Sequence, residues 1–267
     1  MATESRSETV QTNQREILSL LRNPTTGNSL VFEDGMMIDP ITAERFELRN
    51  GIPVILRKDD VFGNNRKQQT AYDWFSYLYD LMYTLPLSNL QQWLDELAEI
   101  ITIESDDRVL ETSVGTGQQF KNFTRRGVNG NFFGNDISYG MLNKCRKNLR
   151  KWDIDVGLVQ GNAEALPFQS DLFDVVFHVG GFNFFNDKQA AIDEMIRVAN
   201  PGAYLYIVDE TSELIALPQF IDRLIPERVS RVADPPISLV PDDMDDVSSR
   251  KIANGKFWLV SFRNQSA

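Results

Sequence analysis

The stretch "VLETSVGTGQQF", Val109–Phe120, runs from an apolar segment through a bend with two glycines into a polar segment. This order is typical of a strand, a glycine turn and a helix that follow one another directly. Glycine adopts backbone conformations that other residues avoid, and it lets a ligand approach main-chain atoms closely. We therefore expect a ligand to contact the turn at Ser113–Gly117.

The chain alternates between short apolar runs and helical segments from residue 106 onward. The predicted strands are "DRVLETS", "GNFFGND", "DVGLVQGN", "FDVVFHV" and "AYLYIVDE", and the predicted helices are 116–126, 138–151 and "KQAAIDEMIRVA". Strict alternation of this kind predicts a parallel sheet that is covered by helices on both faces. Such sheets bind ligands at the carboxyl ends of their strands, where the glycine turn is expected to lie.

Charge and cysteine content exclude several classes of function. The net charge of −11 comes from 27 basic and 38 acidic residues among 267, which disfavours a nucleic-acid partner. The basic run "KCRKNLRK" at 144–151 is interpreted as the solvated face of a helix. Cys145 is the single cysteine, which excludes an intrachain disulfide and a multi-cysteine zinc site. The sequence contains neither a membrane-length apolar run nor a secretory signal, so we expect a cytoplasmic protein.

Four regions are predicted along the chain. Residues 1–14 are a flexible tail, and 15–60 form a small β-rich leader because turn signals recur between brief apolar runs. Residues 61–105 are a helical lid or linker, and 106–267 form the core domain.

Three loops of the predicted sheet could hold a nucleoside that carries an amino acid. The turn does not follow G-x-G-x-x-G, because Phe120 occupies the place of the third glycine, and this weakens a pyrophosphate site. Asp136 ends the second strand, where a carboxylate can accept hydrogen bonds from the two hydroxyls of a ribose. Asn162, in "QGNAEALPF", offers an amide oxygen to an exocyclic amine, and the backbone around Ala163 can bond a purine edge.

Four motifs in order, "VLETSVGTG", "GNDISYGML", "GNAEALPFQSDLFDVVF" and "EMIRVANPGAYLYIVDE", resemble those of class I S-adenosylmethionine-dependent methyltransferases. The similarity is strongest to the ubiquinone/menaquinone-biosynthesis-like group. The closing "GKFWLVSFRN" is similar to the last, antiparallel strand of that fold. The resemblance implies an α/β, Rossmann-like methyltransferase fold with a mostly parallel seven-stranded sheet, an antiparallel last strand and S-adenosyl-L-methionine as cofactor.

The resemblance also implies a set of cofactor-binding residues. Glu111 stands where the family more often has Asp and would receive the cofactor's ammonium group, Ser113 replaces a glycine, and Asn162 replaces an Asp. Each assignment has a structural alternative: Asp136 could cap the helix near Ser138, Glu111 could bond loop amides, and Asn162 could be a turn residue. The full implied set is Glu111, Ser113, Gly115, Gly117, Asp136, Ile137, Met141, Asn162, Ala163 and His178.

The acceptor side is predicted around the end of the fourth strand. His178, the single histidine, could act as a general base or could instead line the cofactor pocket. Asn183 lies in the loop that follows and could contact the substrate. Tyr72 and Tyr79 could present an aromatic face to the substrate from the preceding helix, or could simply pack.

The leader resembles the small zinc ribbon that precedes some rRNA guanine methyltransferases. The two Cys-x-x-Cys pairs of such a ribbon read Asn23-x-x-Thr26 and Asp39-x-x-Thr42 in this chain. Without thiolates we predict no metal.

These patterns favour a methyltransferase that acts on a small, apolar or amphipathic molecule, since the segment 211–245 is apolar in patches. An rRNA or tRNA methyltransferase, suggested by the leader, is the alternative that the acidic charge opposes. A non-catalytic cofactor-binding or partner-activating protein and a nicotinamide oxidoreductase also stay open. The sequence is compatible with a homodimer.

Overall fold

The computed structural model describes residues 12–57, 63, 66, 69, 90–211 and 234–265. The leader contains one helix and a four-stranded antiparallel sheet whose strands pair in sequence order. Its elements are α1 Thr12–Leu20, β1 Val31–Glu33, β2 Met36–Ile38, β3 Arg45–Arg49 and β4 Ile52–Pro53.

The remainder of the described chain forms a seven-stranded sheet with helices. The helices are α2 Leu90–Ile100, α3 Gln118–Arg125, α4 Tyr139–Trp152 and α5 Lys188–Val198. The strands are β5 Arg108–Glu111, β6 Asn131–Asp136, β7 Val156–Gln160, β8 Phe173–Val179, β9 Ala199–Glu210, β10 Asp245–Ile252 and β11 Phe257–Arg263.

The large sheet has the strand order β10-β11-β9-β8-β5-β6-β7. Neighbouring strands from β7 to β9 pair in parallel, whereas β11 is antiparallel to both β9 and β10. The strand order reverses direction at β5, which has β6 on one side and β8 on the other. Loops at the carboxyl ends of β5 and β8 therefore diverge and leave the crevice in which open α/β sheets bind ligands.

The predicted helices after β5, β6 and β8 are present, and two of them begin at a side-chain cap. Ser138 Oγ accepts a hydrogen bond from Met141 N at 3.1 Å, and Asp187 Oδ1 accepts one from Ala190 N at 3.0 Å. These bonds satisfy N–H groups that have no partner within the helix. The first of them fixes the start of α4 directly beside Asp136.

Two elements were not predicted. Strand β10 is exposed at seven of its eight residues and carries charged and small side chains, so it lacks the buried pattern that marks the other strands. Helix α1 crosses the predicted boundary between the tail 1–14 and the leader 15–60. Its side chains Ile17 and Leu20 are buried, and Asn13 Nδ2 donates to the carbonyl of Asp155.

The leader docks onto the β7 edge of the large sheet. The side chain of Gln14 accepts from Leu158 N and donates to its carbonyl, and Ile55 N donates to Gln160 O at 2.9 Å. Val54 forms a parallel bridge to Gln160. A Cβ at Gly157 would lie 2.7 Å from the carbonyl of Asn13, so glycine permits α1 to lie close to β7.

Two apolar clusters cover the two faces of the large sheet, as alternation along the strands requires. Val109 of β5 belongs to one cluster, together with Phe120 and Phe123 of α3. Its neighbour Leu110 belongs to the other, which also contains Ile17 and Ile55 of the leader. The leader and the large sheet therefore share one core. Among the described residues no helix has the length and apolarity needed to cross a membrane.

Candidate active site

The glycine turn after β5 has the conformation that its sequence predicts. Gly115 and Gly117 have φ values of +53° and +82°, which favour glycine. A Cβ at Gly117 would lie 2.9 Å from Cys145 Sγ, so this glycine lets the turn pack against α4. A Cβ at Gly115 would have no atom within 4 Å among the residues that the structure describes. One glycine therefore serves packing, and the other borders open space.

Asp136 lies against the same turn. Its Oδ2 accepts a hydrogen bond from Gly115 N, and its Oδ1 accepts one from Ser138 N, both at 2.8 Å. The carboxylate thus joins the glycine turn to the first residues of α4. Because each carboxylate oxygen can accept more than one hydrogen bond, these contacts leave acceptor capacity for a ligand. Asp136 therefore stabilises the start of α4 and also contacts the glycine turn.

Glu111 is the buried carboxylate at the end of β5, with an exposed fraction of 2%. Its Oε2 has no hydrogen-bond partner within the described residues. Burial raises the pKa of Glu111 well above its ordinary value, and the nearby charge of Asp136 raises it further. A buried acceptor without a donor is costly, and a cationic ligand group would relieve that cost.

The residues predicted to contact adenine lie at the ends of β6 and β7. The carbonyl of Ile137 accepts hydrogen bonds from Gln160 Nε2 and Gln69 Nε2, each at 2.9 Å. Asn162 Oδ1 accepts from Glu164 N at 3.0 Å, so this side chain forms a local turn. Met141 and Ala163 are buried beside these loops, with exposed fractions of 3% and 6%.

His178 lies beneath the loop that follows β8. Its exposed fraction is 0%, its Nδ1 is 2.9 Å from Thr112 Oγ1, and its Nε2 has no partner within the described part of the chain. Burial lowers the pKa of His178 to about 3. These observations argue against the predicted general base, because an imidazole with so low a pKa has little affinity for a proton at neutral pH.

The loop after β8 is held by a residue that the sequence did not single out. Asp209, at the end of β9, accepts hydrogen bonds from the backbone N–H groups of Gly181 at 3.3 Å and Asn183 at 2.7 Å. A carboxylate after the buried run "LYIVDE" is the signal that could have identified it. The predicted residue Asn183 is half-buried, and its backbone N–H donates to Asp209.

Of the other predicted site residues, Ser113 lies in the glycine turn, and the two tyrosines lie in segments that the structure does not describe. Ser113 is half-buried in the glycine turn, next to Val114, whose N–H donates to Asn135 O. Tyr72 and Tyr79 lie outside the described residues, as does 212–233 of the predicted apolar segment.

Three of the four leader positions that match the ribbon's cysteines converge on one carboxylate. Asp39 Oδ2 accepts from Asn23 Nδ2 at 2.9 Å and from Thr26 Oγ1 at 2.8 Å, and its Oδ1 accepts from Thr42 N at 3.1 Å. Burial alone would raise the pKa of Asp39, but hydrogen bonds from Thr26, Thr42, Ile41 and Asn23 outweigh it and hold the pKa well below its usual range. The fourth position is Asp39 itself, and Thr42 contributes its backbone N–H rather than its side chain.

The chemistry of the site at β5 and β6 fits S-adenosylmethionine. Its methionine part carries an ammonium group that the unpartnered Oε2 of Glu111 could accept. Its ribose carries two hydroxyls that suit the acceptor oxygens of Asp136, and the open space at Gly115 admits a ligand next to the backbone. The residues present therefore fit this group.

Comparison with known proteins agrees with that fit. Residues 110–207 match the family model described as a methyltransferase domain. A ubiquinone/menaquinone biosynthesis C-methyltransferase, UbiE, of Pectobacterium carotovorum is 34% identical over 141 residues, which are 51% of this chain and 56% of the relative. The chain thus covers little more than half the length of this curated relative.

Solved structures share the fold at low sequence identity. An S-adenosylmethionine-dependent methyltransferase from Thermotoga maritima superposes with a TM-score of 0.56 at 16% identity, covering 74% of this chain and 99% of that one. Phosphoethanolamine N-methyltransferase 2 of Haemonchus contortus, in complex with S-adenosyl-L-methionine, gives 0.52 at 13% identity, covering 66% of this chain and 53% of that one. Residues 110–207, which contain the glycine turn and Asp136, thus match a methyltransferase domain, the large sheet has a Rossmann-like fold, and S-adenosylmethionine is the cofactor.

Proposed function

We propose that this protein transfers a methyl group from S-adenosylmethionine to a small, apolar or amphipathic acceptor. The observation that carries the proposal is the buried carboxylate of Glu111, whose Oε2 has no partner among the described residues, next to a turn that is bonded to Asp136. Bound there, the cofactor supplies an electrophilic methyl group on a sulfonium. The protein's own task is then mainly to align the two reactants and to exclude water.

Individual roles follow from the position of each residue. Glu111 would hold the ammonium group, Asp136 would hold the ribose hydroxyls, and Gly115 would leave room for the ligand beside the main chain. The adenine ring would lie between the loops after β6 and β7. The residues proposed to surround it are Ile137, Met141, Asn162 and Ala163.

For the acceptor we propose an electron-rich aromatic ring that is methylated at carbon, such as the quinol of naphthoquinone. The UbiE relative is a C-methyltransferase by name, and this supports the choice of a carbon acceptor. Phe182 and Phe185 lie in the loop after β8, and both rings pack against His178. Phe182 is fully buried, whereas Phe185 is half-buried and could offer its ring to an aromatic acceptor.

We also propose that the leader is a ribbon-like unit in which the Asp39 hydrogen bonds take the place of a metal. The convergence of Asn23, Thr26 and Thr42 on one carboxylate supports this interpretation. Within the described ranges no cluster of three or more His, Cys, Asp or Glu side chains could hold a metal ion.

Calorimetric titration with S-adenosylmethionine tests the cofactor site. Asp136→Ala should weaken binding about a hundredfold, because it removes charge-assisted hydrogen bonds to the ligand and to Gly115 N. Asp193→Ala is the matched control, since Asp193 is exposed on α5 and bonds Gln189. Equal affinity of the two variants would refute the proposed ribose site.

Methyl transfer is tested with isotopically labelled cofactor and the quinol of naphthoquinone. Wild-type protein should give a labelled product that carries the new methyl group on a ring carbon, as judged by mass spectrometry. Cofactor binding without transfer to this quinol would refute the acceptor class and leave the cofactor site standing.

A further inference from the structure

Asp209 is a buried carboxylate that the proposed cofactor site does not use. Its exposed fraction is 2%, and it ends β9, the strand beside β8. Oδ2 accepts from Asn183 N at 2.7 Å, and Oδ1 accepts from Glu210 N at 2.8 Å and Gly181 N at 3.3 Å. Two of these three donors belong to the loop after β8. The carboxylate thus ties that loop to the end of β9.

The loop itself has a backbone that can change direction at low cost. Gly180 and Gly181 have φ values of +74° and +88°, and a Cβ at either would meet no atom of the described residues within 4 Å. A short 3₁₀ turn, Phe182–Phe184, follows them directly. Glycine pairs of this kind permit several backbone conformations, so an external contact must select one.

The selected conformation covers the edge of the sheet at which methyl transfer would occur. The ring centroids of Phe182 and Phe185 lie 5.5 and 5.1 Å from that of His178, and Phe182 also contacts Trp258. His178 in turn contacts Thr112, the residue after Glu111. The loop therefore packs on His178, whose ring contacts Thr112, the residue before the glycine turn.

We propose that Asp209 is a positioning residue for methyl transfer, whose ionised carboxylate holds the loop 180–183 in the arrangement that forms the acceptor side of the site. This inference rests on the proposed function, because only a methyltransferase has an acceptor side here. Asp209 acts through the backbone of Gly181 and Asn183 and does not itself need to touch the acceptor.

The charged surroundings of Asp209 make the contact depend on pH. Lys188 of α5 is near enough for its charge to be stabilised by Asp209, Glu210 of β9 adds negative charge, and β11 places Trp258, which does not titrate, opposite Asp209. His178 of β8 stays neutral over the relevant range because its pKa is about 3.

Burial raises the pKa of Asp209 to about 6, against the hydrogen bonds from Asn183, Glu210 and Gly181. Below that pH the Asp209 carboxylate is protonated and accepts hydrogen bonds less well. The hydrogen bonds that hold the loop should therefore weaken.

Amide hydrogen exchange tests the loop without any knowledge of the acceptor. It is measured on the protein bound to S-adenosylhomocysteine, in wild type and in Asp209→Asn. The protection factors at Gly181 and Asn183 should fall about tenfold in the variant, the change expected for one lost charge-assisted hydrogen bond. In wild type they should fall as the pH drops through about 6, and in Asp209→Asn they should be low at every pH.

Asp174→Asn is the matched control. Asp174 also accepts a backbone hydrogen bond, from Arg108 N at 2.9 Å, but it lies near the amino end of β8, at the opposite edge of the sheet. This variant should keep wild-type protection at Gly181 and Asn183. Unchanged protection in Asp209→Asn, or equal loss in both variants, overturns the proposal. If Asp209→Asn does not fold, the pH dependence in wild type alone decides, since flat protection between pH 7.5 and 5 overturns it equally.

Turnover of the naphthoquinone quinol adds the functional measurement. Asp209→Asn should lower kcat/KM for the quinol about tenfold and change the dissociation constant of S-adenosylmethionine less than about twofold. Wild-type protein that does not methylate the quinol refutes the acceptor class, while the exchange data still decide the role of Asp209.

Discussion

Two buried carboxylates in this chain have opposite surroundings. Asp39 in the leader receives hydrogen bonds from side chains and backbone on all sides, and its pKa is held below the usual range. Glu111 at the end of β5 has an oxygen without a partner in the described chain, and burial raises its pKa. The first carboxylate is satisfied by its own protein, and the second needs a group from outside.

The difference separates a structural site from a binding site. A buried polar group that lacks a partner lowers stability, so its presence calls for a compensating function. In the leader, Asn23, Thr26 and Thr42 donate hydrogen bonds to Asp39, so this carboxylate is satisfied within the protein. Glu111 Oε2 has no such donor among the described residues, and we propose that a cationic group of the ligand pairs with it.

Of the replacements that test the difference between Glu111 and Asp39, that of Glu111 should change cofactor affinity most. Glu111→Gln should weaken S-adenosylmethionine binding about tenfold to a hundredfold, because a neutral amide cannot pair with the ammonium group. The same variant should raise the melting temperature of the free protein at neutral pH. The reason is that a carboxyl group with a raised pKa contributes stability at low pH and loses it as the pH rises through the folded-state pKa.

Calorimetry and thermal melting measure the two effects of Glu111→Gln. Glu104→Gln is the control, since Glu104 is exposed and precedes the amino end of β5. In wild type, ionisation of Glu111 on binding should release a proton, so cofactor affinity should rise with pH. Unchanged affinity in Glu111→Gln would mean that this carboxylate is structural, like Asp39.

Replacement of Asp39 should have the opposite consequence. Asp39→Asn should lower the melting temperature by several degrees at neutral pH, because it converts an acceptor into a donor that faces Asn23 and Thr26. A carboxylate with a lowered pKa contributes stability above its unfolded-state pKa, so wild type should lose this contribution only in strong acid. The variant should bind S-adenosylmethionine with wild-type affinity, and a marked loss would break the distinction between the two regions.

The smallest expected effect comes from adding a Cβ atom at Gly115, in the glycine turn, or at Gly127, outside it. Gly115→Ala and Gly127→Ala both place a Cβ at positive φ with no atom within 4 Å, so both should destabilise by about 1–2 kcal/mol. The Cβ at position 115 alone would enter the ligand's space, and it should weaken cofactor binding about fivefold. Calorimetric titration of both variants checks this, and equal affinities would argue that Gly115 borders no ligand.

The sequence predicted what depends on local pattern. The alternation of buried strands and helices, the positive-φ glycines and the proximity of Asp136 to the turn all follow from residues 108–198, where each buried run is long and distinct. Strand β10 could not be found in this way, because an edge strand exposes most of its side chains. The run "LYIVDE" marks Asp209 as a carboxylate at the end of a buried strand, but its hydrogen bonds to the loop of the neighbouring strand cannot be read from a local pattern.

His178 illustrates a similar limit. The residue type and its position after a strand suggested a base, but the packing of Phe182 and Phe185 around the ring decides its pKa. Neither ring can be placed there from the sequence alone. The assignment of Asn162 to the adenine likewise stays a prediction, since its oxygen is also used in a local turn.

The docking of the leader on β7 has a consequence for how the chain is made. Gln14 meets Leu158 across a separation of 144 residues, so a newly synthesised leader leaves the ribosome long before its partner strand exists. Until then Ile17 and Ile55 have no sheet to cover, and the nascent segment is the part of the chain for which a chaperone would be most useful. Once β7 emerges, the bridge at Val54 closes the edge of the sheet and removes a template for intermolecular pairing. A chain that lacks the residues up to 57 would leave the β7 edge uncovered, and we therefore expect it to aggregate.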